Sequence, residues 1–413
     1  MRITLLTYGS RGDVEPFVAL GVGFMRAGHD VRLAAPVVFE QLVSSHGIDF
    51  IGLPGDPDGL VQALVDKAGK NYVRMIRVMS KFVVPIAVGV LDQVQIACEN
   101  TDIIIHSFLL TTTGHELARE KGIHDFSAQF FPVFSTTAEF PGIVFPDLPL
   151  GNFYRRLTHE FITQTFWQGS RVLYRWIRRS NPHLPVLTEW PFSGRSDPRT
   201  PILYAFSPSV LPRPADWGED VHVTGYWFTD DPDWHPPQTL LDFLDSGSKP
   251  IAIAFGSTST RNPERMADIM LEALALSGQR GVIVGAGNQF RQLPRDVFRI
   301  DYAPYYWLFP RMSAVVHHGG AGTTGAGLLA GVPNIITPFT SDQPFWGHRV
   351  HSLGAGPKPL PAKKLTAQAL AESIIGAVDD QKMRARAKAI GERIRVDDGV
   401  SRAIDIVLRY VGG

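Results

Sequence analysis

Apolar and polar positions fall into clear blocks over the first fifty residues. ITLLTY (3–8) is a continuous apolar run, GSRGD follows as a turn, and VEPFVALGVGFMRAG then carries apolar residues at helical spacing as far as Gly28. VRLAA (31–35) is the next apolar run. Unbroken apolar runs are typical of parallel strands that are covered on both faces. This block therefore predicts a strand–helix–strand unit.

The same rhythm returns between residues 101 and 206. TDIIIHSF (101–108) and DFSAQFF (125–131) read as strands on either side of a helix over GHELAREKG. A stretch rich in prolines and aromatics follows, with a helical segment FITQTFWQGSRVLYRWIRR. PILYAF (201–206) is predicted to be the last strand of this half, and the proline-rich SPSVLPRPADWGED is typical of a linker.

A second alternating series occupies the rest of the chain. Its predicted elements are IAIAFGS (251–257), a helix over 262–277, GVIVG (281–285), SAVVHH (313–318), a helix over 322–330 and NIITPF (334–339). Repeated units of this kind predict an α/β protein with two doubly wound parallel sheets. We expect domains at 1–207 and 239–395, a linker at 208–238 and a final amphipathic helix at 396–413.

Composition limits the class of protein. The 413 residues include 44% apolar and 19% charged positions, enough for two buried cores, and 40 basic residues balance 40 acidic ones. This balance argues against a nucleic-acid partner. Cys98 is the only cysteine, which favours a reducing compartment, the cytoplasm. The longest apolar stretch, 82–91, is about half of a membrane span and contains Pro85, so we expect a soluble protein.

The turns that follow strands are where ligands bind in such sheets, and the expected site is the cleft between the two domains. The most informative turn is HHGGAGTTGAG (317–327), in which Gly320, Gly322 and Gly325 fit G-x-G-x-x-G. Asp342 lies at about the spacing expected of an NAD site, ~20 residues further on. An NAD-dependent oxidoreductase therefore stays open, although a dinucleotide fingerprint usually opens its domain and this one comes late.

The same turn also has the chemistry of an anion site. Glycines let the backbone approach a phosphate, and the start of a helix presents unpaired N–H groups with a partial positive charge. Thr323 and Thr324 offer hydroxyl donors, and His317 or His318 offers an imidazole. A tight turn with glycines present only for packing is the alternative, and the accompanying polar side chains favour phosphate binding.

Two acidic features allow more than one interpretation. In GSRGDVEP (9–16), Asp13 is suited both to capping the following helix and to acting as a base, and the two roles are compatible. The pairs Asp56-Pro57-Asp58 and Asp231-Pro232-Asp233 offer a D-x-D arrangement, but their Gly/Pro-rich contexts favour solvated turns. We expect no metal site. FGST (255–258) is a weaker signal for a phosphate or a ribose.

Taken together, these turns resemble glycosyltransferase family 1, the two-domain GT-B enzymes that use nucleotide sugars. The match is closest to the sterol 3-β-glucosyltransferases and bacterial natural-product glycosyltransferases. The segments that carry the resemblance are 8–31, 44–50, 114–123, 136–141, 305–350 and 353–357. The block 305–357 is specific to the family, and GSRGDV narrows it to the sterol and antibiotic-tailoring branch.

The resemblance implies that the final helix, 396–413, packs back on the first domain. It also implies a donor site in the second domain for a UDP- or TDP-sugar, with no further cofactor. The diphosphate would be held by Ser257, His317, Gly319, Gly320, Ala321, Gly322 and Thr323. Tyr302 and Ala303 match the family's nucleobase-binding stretch, with tyrosine where tryptophan is frequent. Asp342 and Gln343 match the pair that binds sugar hydroxyls.

Asp13 matches the family's general base, within the turn formed by Ser10, Arg11 and Gly12. The resemblance implies an inverting transfer of a hexose, foremost glucose, from a UDP-sugar to a hydroxyl of a large apolar acceptor such as a sterol. Tailoring of a polyketide or another antibiotic aglycone is the main alternative. An inactive auxiliary that binds a nucleotide sugar is a further one.

The acceptor site is expected in the first domain, where residues 60–200 are rich in aromatics. An apolar hydroxylated small molecule suits such a lining, and we expect the pocket to use Phe130, Phe131, Phe140 and Trp346. RVLYRWIRR (171–179) interleaves four arginines with aromatics. It suits weak peripheral contact with an anionic membrane, or simply a solvated helix face with snorkelling arginines, and the second interpretation is favoured.

Overall fold

The computed structural model of the chain describes residues 1–57, 59, 72–179, 181, 182, 184, 187, 190, 192, 200–231, 233–255, 262–285, 290 and 292–412, and only the backbone of 72–84. The chain forms two compact units. The first unit comprises Met1–Pro208, Pro212–Thr229 and Asp398–Gly413. The second unit comprises Ser209–Leu211 and Asp230–Asp397.

The first unit is built on a seven-stranded parallel sheet. Its strands are β1 (Arg2–Leu6), β2 (Asp30–Pro36), β3 (Asp49–Leu53), β4 (Ile103–His106), β5 (His124–Gln129), β6 (Ile202–Tyr204) and β7 (Val221–Val223). Its helices are α1 (Arg11–Arg26), α2 (Glu40–Ser44), α3 (Tyr72–Ala97), α4 (Thr111–Lys121), α5 (Gly151–Arg178) and the C-terminal helix Gly399–Gly412. The strand order is β3-β2-β1-β4-β5-β6-β7.

The apolar runs in the sequence form the central strands of this sheet. Four of the five residues of β1 are buried, and so is every residue of β4. The strand order reverses between β1 and β4, which are hydrogen-bonded neighbours. The loops that follow two such strands diverge, which makes this point of a doubly wound sheet the usual place for a ligand. The turn from Gly9 to Asp13 begins there.

The C-terminal helix packs against α1. A Cβ atom on Gly23 would lie 2.4 Å from Val400 Cγ1 and 2.9 Å from Ile404 Cδ1, so the contact depends on glycine at this position. The ring of Tyr410 also meets Phe126 of β5, with 5.8 Å between the ring centroids. These contacts make the end of the chain part of the first unit.

The second unit repeats the architecture with five parallel strands. They are β8 (Ile251–Ala254), β9 (Gly281–Val284), β10 (Val297–Ile300), β11 (Ala314–His317) and β12 (Asn334–Ile336), in the order β10-β9-β8-β11-β12. The helices are α6 (Gln238–Asp245), α7 (Pro263–Ser277), α8 (Tyr305–Leu308), α9 (Ala321–Ala330), α10 (Gln343–Ser352), α11 (Ala367–Asp379) and α12 (Gln381–Val396). The order reverses between β8 and β11, directly before the glycine-rich turn.

The predicted class, two doubly wound parallel-sheet domains, is confirmed. The prediction that 201–206 is the last strand of the first half is wrong, because β7 follows it inside the stretch expected to be a linker. That strand has three residues and lies between proline-rich segments, so its sequence pattern is weak. The apolar stretch 82–91 lies within α3, and among the described residues no helix is long and apolar enough to cross a membrane.

Candidate active site

In the first unit, the turn after β1 holds the Asp13 carboxylate against its own backbone. The Ser10 backbone N–H donates to Asp13 Oδ2 at 2.8 Å, and the Ser10 hydroxyl donates to the same oxygen at 3.1 Å. Asp13 N–H in turn donates to the Ser10 carbonyl at 2.9 Å. The Asp13 side chain thus bonds back to the N-cap backbone, as the third helical residue of a capping box does. The carboxylate therefore has a defined position in the first turn of α1, where the helix dipole favours negative charge.

The neighbouring residues shape this turn. A Cβ atom on Gly9 would lie 2.2 Å from Asp13 Oδ2, so only glycine lets the carboxylate fold back over the turn. The Thr7 hydroxyl donates to the Asp13 carbonyl at 3.0 Å. Arg11 lies on the outside and pairs with Glu15, with 2.9 Å between Nε and Oε1. Gly12 is exposed, and a Cβ atom there would approach only Ser10 Oγ, at 3.9 Å.

In the second unit, the turn after β11 presents backbone rather than side chains. Gly319 has φ +93°, and a Cβ atom there would lie 2.6 Å from Ile336 Cγ2. Gly320 is the N-cap of α9, and the first helical bond runs from Thr324 N–H to the Gly320 carbonyl at 2.9 Å. A Cβ atom on Gly322 would have no neighbouring atom within 4 Å. The first N–H groups of a helix have no partner within the helix, so this turn has donors that can bind an anion.

His317 is a structural residue inside the second unit. Its side chain is fully buried, Nδ1 accepts from Gly319 N–H at 3.1 Å, and Nε2 lies 2.9 Å from Asn334 Oδ1. Because Nδ1 accepts, Nε2 must carry the proton that it donates to the asparagine. Burial lowers the pKa of His317 to about 3, so the ring is neutral. Gly327 leaves room for this asparagine, since a Cβ atom there would lie 2.1 Å from Asn334 Oδ1.

His318 lies on the other side of the strand end and is half-buried. Its Nε2 sits over the N-cap of α9, only 2.5 Å from where a Cβ atom of Gly320 would be. Desolvation lowers the pKa of His318 to about 4. A second glycine therefore opens the space that brings this imidazole to the helix N-terminus. Thr323 is half-buried beside it, whereas Thr324 is fully buried with its hydroxyl inside the unit.

Tyr302 and Ala303 follow β10. The Tyr302 hydroxyl donates to Asp231 Oδ2 at 2.9 Å, and the Asp231 N–H donates to the Tyr306 hydroxyl. Ala303 is buried. Asp231 belongs to the second of the two D-x-D pairs, and in the structure it fixes the ring of Tyr302. A tryptophan at 302 would lack the hydroxyl that makes this bond.

Asp342 and Gln343 lie where α10 begins, next to the glycine-rich turn. The Gln343 side-chain oxygen accepts from Phe339 N–H at 2.8 Å and from Thr340 N–H at 3.1 Å. The Gln343 carbonyl would be 3.1 Å from a Cβ atom on Gly319. The structure thus brings the predicted sugar-binding pair and the predicted diphosphate loop together at one edge of the sheet.

The four predicted acceptor residues occupy separate places. Phe130 is buried against Phe17, with 5.9 Å between the ring centroids. Phe140 packs edge-on against His159 at 5.7 Å. Trp346 is fully buried in the second unit. Each of these three residues is packed within its own unit.

Phe131 belongs to an aromatic cluster at the carboxyl ends of β4 and β5. The ring centroid of Phe108 lies 5.5 Å from Phe131, 5.4 Å from Phe134 and 4.7 Å from Phe166. Phe134 is buried and has φ +69°, an uncommon backbone conformation for a bulky residue. Phe108, Phe131 and Phe166 are half-buried. Their exposed edges form an apolar surface beside the strand that precedes Asp13.

Some predictions concern residues that the structure leaves out or does not group. Ser257 lies outside the described residues, as does most of FGST. Within the described parts of the chain, no group of three or more His, Cys, Asp or Glu side chains could hold a metal ion.

The sequence did not predict that Asn334 would bond His317, or that the His318 ring would lie at the N-terminus of α9. An asparagine at the start of the apolar run NIITPF was the available signal, because a polar residue in a buried strand needs a partner.

Comparison with known proteins gives the family. Residues 3–108 match the model of the glycosyltransferase family 28 N-terminal domain, and residues 274–398 match that of the erythromycin biosynthesis protein CIII-like C-terminal domain. The chain is 37% identical to O-mycaminosyltylonolide 6-deoxyallosyltransferase of Streptomyces fradiae, over 98% of this chain and 97% of that protein. It is also 37% identical to sterol 3-beta-glucosyltransferase of Cryptococcus neoformans var. neoformans serotype D, over 99% of this chain but 27% of that protein.

A solved structure shares the fold. The glycosyltransferase of Streptomyces sp. SF2575 complexed with thymidine diphosphate superposes with a TM-score of 0.66 at 17% identity, covering 99% of both chains. This likeness concerns the architecture, and the family rests on the relatives at 37% identity. The chain belongs to the GT-B glycosyltransferases, in the branch that contains both natural-product glycosyltransferases and sterol 3-beta-glucosyltransferases.

Proposed function

We propose that this enzyme moves a hexose, foremost glucose, from a UDP-sugar to a hydroxyl of a large apolar acceptor such as a sterol, and forms a β-glycoside. The observation that carries the proposal is the glycine-rich N-terminus of α9 beside Asp342 and Gln343. An anion cradle that adjoins polar side chains suits a ligand made of a diphosphate followed by a sugar.

In the donor site, the backbone from Gly319 to Thr323 holds the diphosphate, and Ser257 reaches it from the neighbouring strand end. His318 supplies the imidazole, because its Nε2 faces the helix N-terminus while both nitrogens of His317 are bonded inside the unit. Tyr302 and Ala303 contact the nucleobase. Preorganised donors of this kind stabilise the negative charge that develops on a leaving diphosphate.

The transfer step follows from these roles. The acceptor hydroxyl oxygen attacks the anomeric carbon from the face opposite the nucleoside diphosphate, and a new C–O bond forms as the bond to the β-phosphate oxygen breaks. Asp13 takes the hydroxyl proton, and the electron pair of the broken bond leaves with the diphosphate. Attack from the opposite face converts an α-linked donor into a β-glycoside. General base assistance is typically worth ~10²- to 10⁴-fold in rate.

Two acceptor classes are supported by different relatives. The sterol 3-beta-glucosyltransferase of Cryptococcus neoformans shares 37% identity across nearly the whole chain. The Streptomyces fradiae relative, named for a deoxyallosyl transfer to O-mycaminosyltylonolide, matches along 97% of its own length, which favours tailoring of an antibiotic aglycone as the second candidate. The half-buried rings of Phe108, Phe131 and Phe166 suit the apolar body of either acceptor.

The first test is calorimetric titration of the purified chain with UDP, TDP and NAD⁺ separately. We expect UDP to bind and NAD⁺ to give no heat of binding, because the glycine-rich turn follows β11 rather than the first strand of its unit. Transfer is then measured with UDP-glucose and cholesterol, and with TDP-deoxyhexoses and a macrolide aglycone.

The outcomes separate the candidates. Transfer of glucose to the sterol supports the main proposal, and transfer only from a TDP-sugar to the aglycone replaces it with the second candidate. Nucleotide binding without any transfer would favour an auxiliary role. Binding of NAD⁺ alone would remove the roles given to Asp13 and Asp342.

We also propose that the enzyme acts in the cytoplasm and contacts anionic membranes weakly through the outer face of α5. Phe153, Leu157 and Phe161 recur every four residues on this helix and are 79%, 53% and 57% exposed. Val172 and Trp176 continue the face about three helical turns further on, and the exposed Arg175 and Arg179 lie among them. Apolar and cationic side chains on one face are what an interfacial helix needs.

Co-sedimentation with phosphatidylglycerol and phosphatidylcholine vesicles tests this contact. We expect the chain to prefer anionic vesicles, and Arg175→Ala with Arg179→Ala to weaken that binding by about fivefold per arginine. Phe153→Ser, Leu157→Ser and Phe161→Ser together should abolish binding to the anionic vesicles. Val396→Ser is the matched control, since that side chain is 82% exposed in the other unit. Equal binding by all variants would exclude α5 as a membrane surface.

A further inference from the structure

The carboxylate of Asp342 is held by a tryptophan one helical turn away. Trp346 Nε1–H donates to Asp342 Oδ2 at 3.0 Å. The indole is 0% exposed and is among the largest fully buried side chains of the described residues, whereas Asp342 is half-buried. The bond therefore joins a rigid, buried donor to a carboxylate that reaches the surface.

The turn before α10 is fixed independently. Ser341 has φ +58°, which is uncommon for a residue with a side chain. The Gln343 side-chain oxygen accepts two backbone N–H groups, those of Phe339 and Thr340. The backbone at Asp342 is thus determined by this turn, and the indole then determines where its carboxylate points.

We propose that Trp346 is a positioning residue for hexose recognition, which places it behind Asp342 and not in the acceptor pocket. This inference rests on the proposed function, in which Asp342 binds sugar hydroxyls. A carboxylate that receives neighbouring hydroxyls of one hexose must keep one orientation, and a hydrogen bond from a packed side chain provides that restraint. Loss of the indole N–H frees the carboxylate to rotate, and the enzyme then discriminates less among hexoses.

The test is Trp346→Phe, which keeps an aromatic ring in the core and removes the N–H. We expect KM for UDP-glucose to rise about tenfold, the equivalent of one hydrogen bond to a charged group. The affinity for UDP should stay unchanged, because UDP has no hexose, and the preference for UDP-glucose over UDP-galactose should narrow. A merely structural role would move the UDP affinity and kcat as well.

The matched control is Trp217→Phe in the first unit. Trp217 is also buried, and its Nε1 has no hydrogen-bond partner among the described residues, so this change removes the same atom without breaking a bond. The control should keep the KM of the parent enzyme. If Trp217→Phe raised KM as much as Trp346→Phe does, the inference would be overturned.

A double-mutant cycle with Asp342→Ala tests the route of the effect. If Trp346 acts through Asp342, then Trp346→Phe changes KM in the parent chain and has no further effect in the Asp342→Ala chain. An unchanged KM in Trp346→Phe, or the same effect in both backgrounds, would overturn the inference alone. A parent chain that binds neither UDP nor UDP-glucose would overturn the proposed function and this inference with it.

Should the phenylalanine variant fail to fold, ¹⁵N-indole spectra of the parent chain give the second measurement. The indole N–H resonance of Trp346 is assigned by comparison with the Asp342→Ala chain, because loss of its hydrogen-bond acceptor changes its chemical shift. That resonance should move in the parent chain with UDP-glucose and not with UDP. Equal responses to the two ligands would overturn the inference.

Discussion

Asp13→Asn is expected to lower kcat by about 10²- to 10⁴-fold, the usual contribution of a general base. An amide cannot take the proton of the acceptor hydroxyl at neutral pH. The amide oxygen can still accept the hydrogen bonds from the Ser10 N–H and hydroxyl, so the start of α1 should keep its structure. The affinity for UDP should remain within about twofold, because the proposed donor site consists of residues of the second unit.

Steady-state kinetics and calorimetry with UDP measure the two effects. Glu15→Gln is the matched control, since it makes the same chemical change on the same helix, at a residue that pairs with Arg11. It should keep full activity. An Asp13→Asn enzyme with the activity of its parent would show that the carboxylate only caps the helix, and the base assignment would be withdrawn.

His318→Ala is expected to weaken UDP binding by about 10- to 100-fold, which is the cost of one hydrogen bond to a charged group. The His318 imidazole lies over the N-cap of α9, where the diphosphate is proposed to bind. Free His318 is neutral because desolvation lowers its pKa to about 4, and a dianionic ligand at the ring would raise that pKa. Binding should therefore take up protons and strengthen as the pH falls through the raised pKa of the complex towards the free value of about 4.

His317→Ala makes the contrasting change and should act on stability. Removing this ring leaves Asn334 Oδ1 and the Gly319 N–H without their partners in a buried place. Each such loss costs about 1–3 kcal/mol of unfolding free energy. Urea unfolding followed by circular dichroism measures it, alongside UDP calorimetry of both variants. If His317→Ala lost binding with unchanged stability while His318→Ala bound normally, the two roles would have to be exchanged.

Much of the fold followed from local patterns. The apolar runs at 3–8, 101–108, 251–257 and 313–318 all contain observed strands, because a strand covered on both faces has apolar residues at every position. The missed strands β3, β7 and β10 are three to five residues long and only partly buried. Edge strands of this kind carry little hydrophobic pattern, and hydrogen bonds to a neighbouring strand define them.

Some features of the candidate site were also predictable from local sequence, and others were not. The capping arrangement of Asp13 was predictable because its partner, Ser10, is three residues away on the same turn. The glycine-rich start of α9 was predictable for the same reason, since its glycines and its first helical turn are contiguous in the sequence. The aromatic residues chosen for an acceptor pocket could not be sorted, because an apolar ring serves a core and a ligand equally well.

The sequence by itself determined the residue types at each strand end, and with them the chemistry available: a carboxylate at one helix start, glycines and imidazoles at another. Only the tertiary structure decided which of two adjacent histidines has both ring nitrogens bonded inside the unit. Successive side chains at the end of a strand point to opposite sides, and His317 is turned inward by Asn334, a residue of the neighbouring strand. The bond between Trp346 and Asp342 is local, since the two residues are one helical turn apart, but the complete burial of the indole depends on the packing of α10 in its unit. Partners that are distant in sequence, and the burial that makes their bonds strong, arise only when the sheets are assembled.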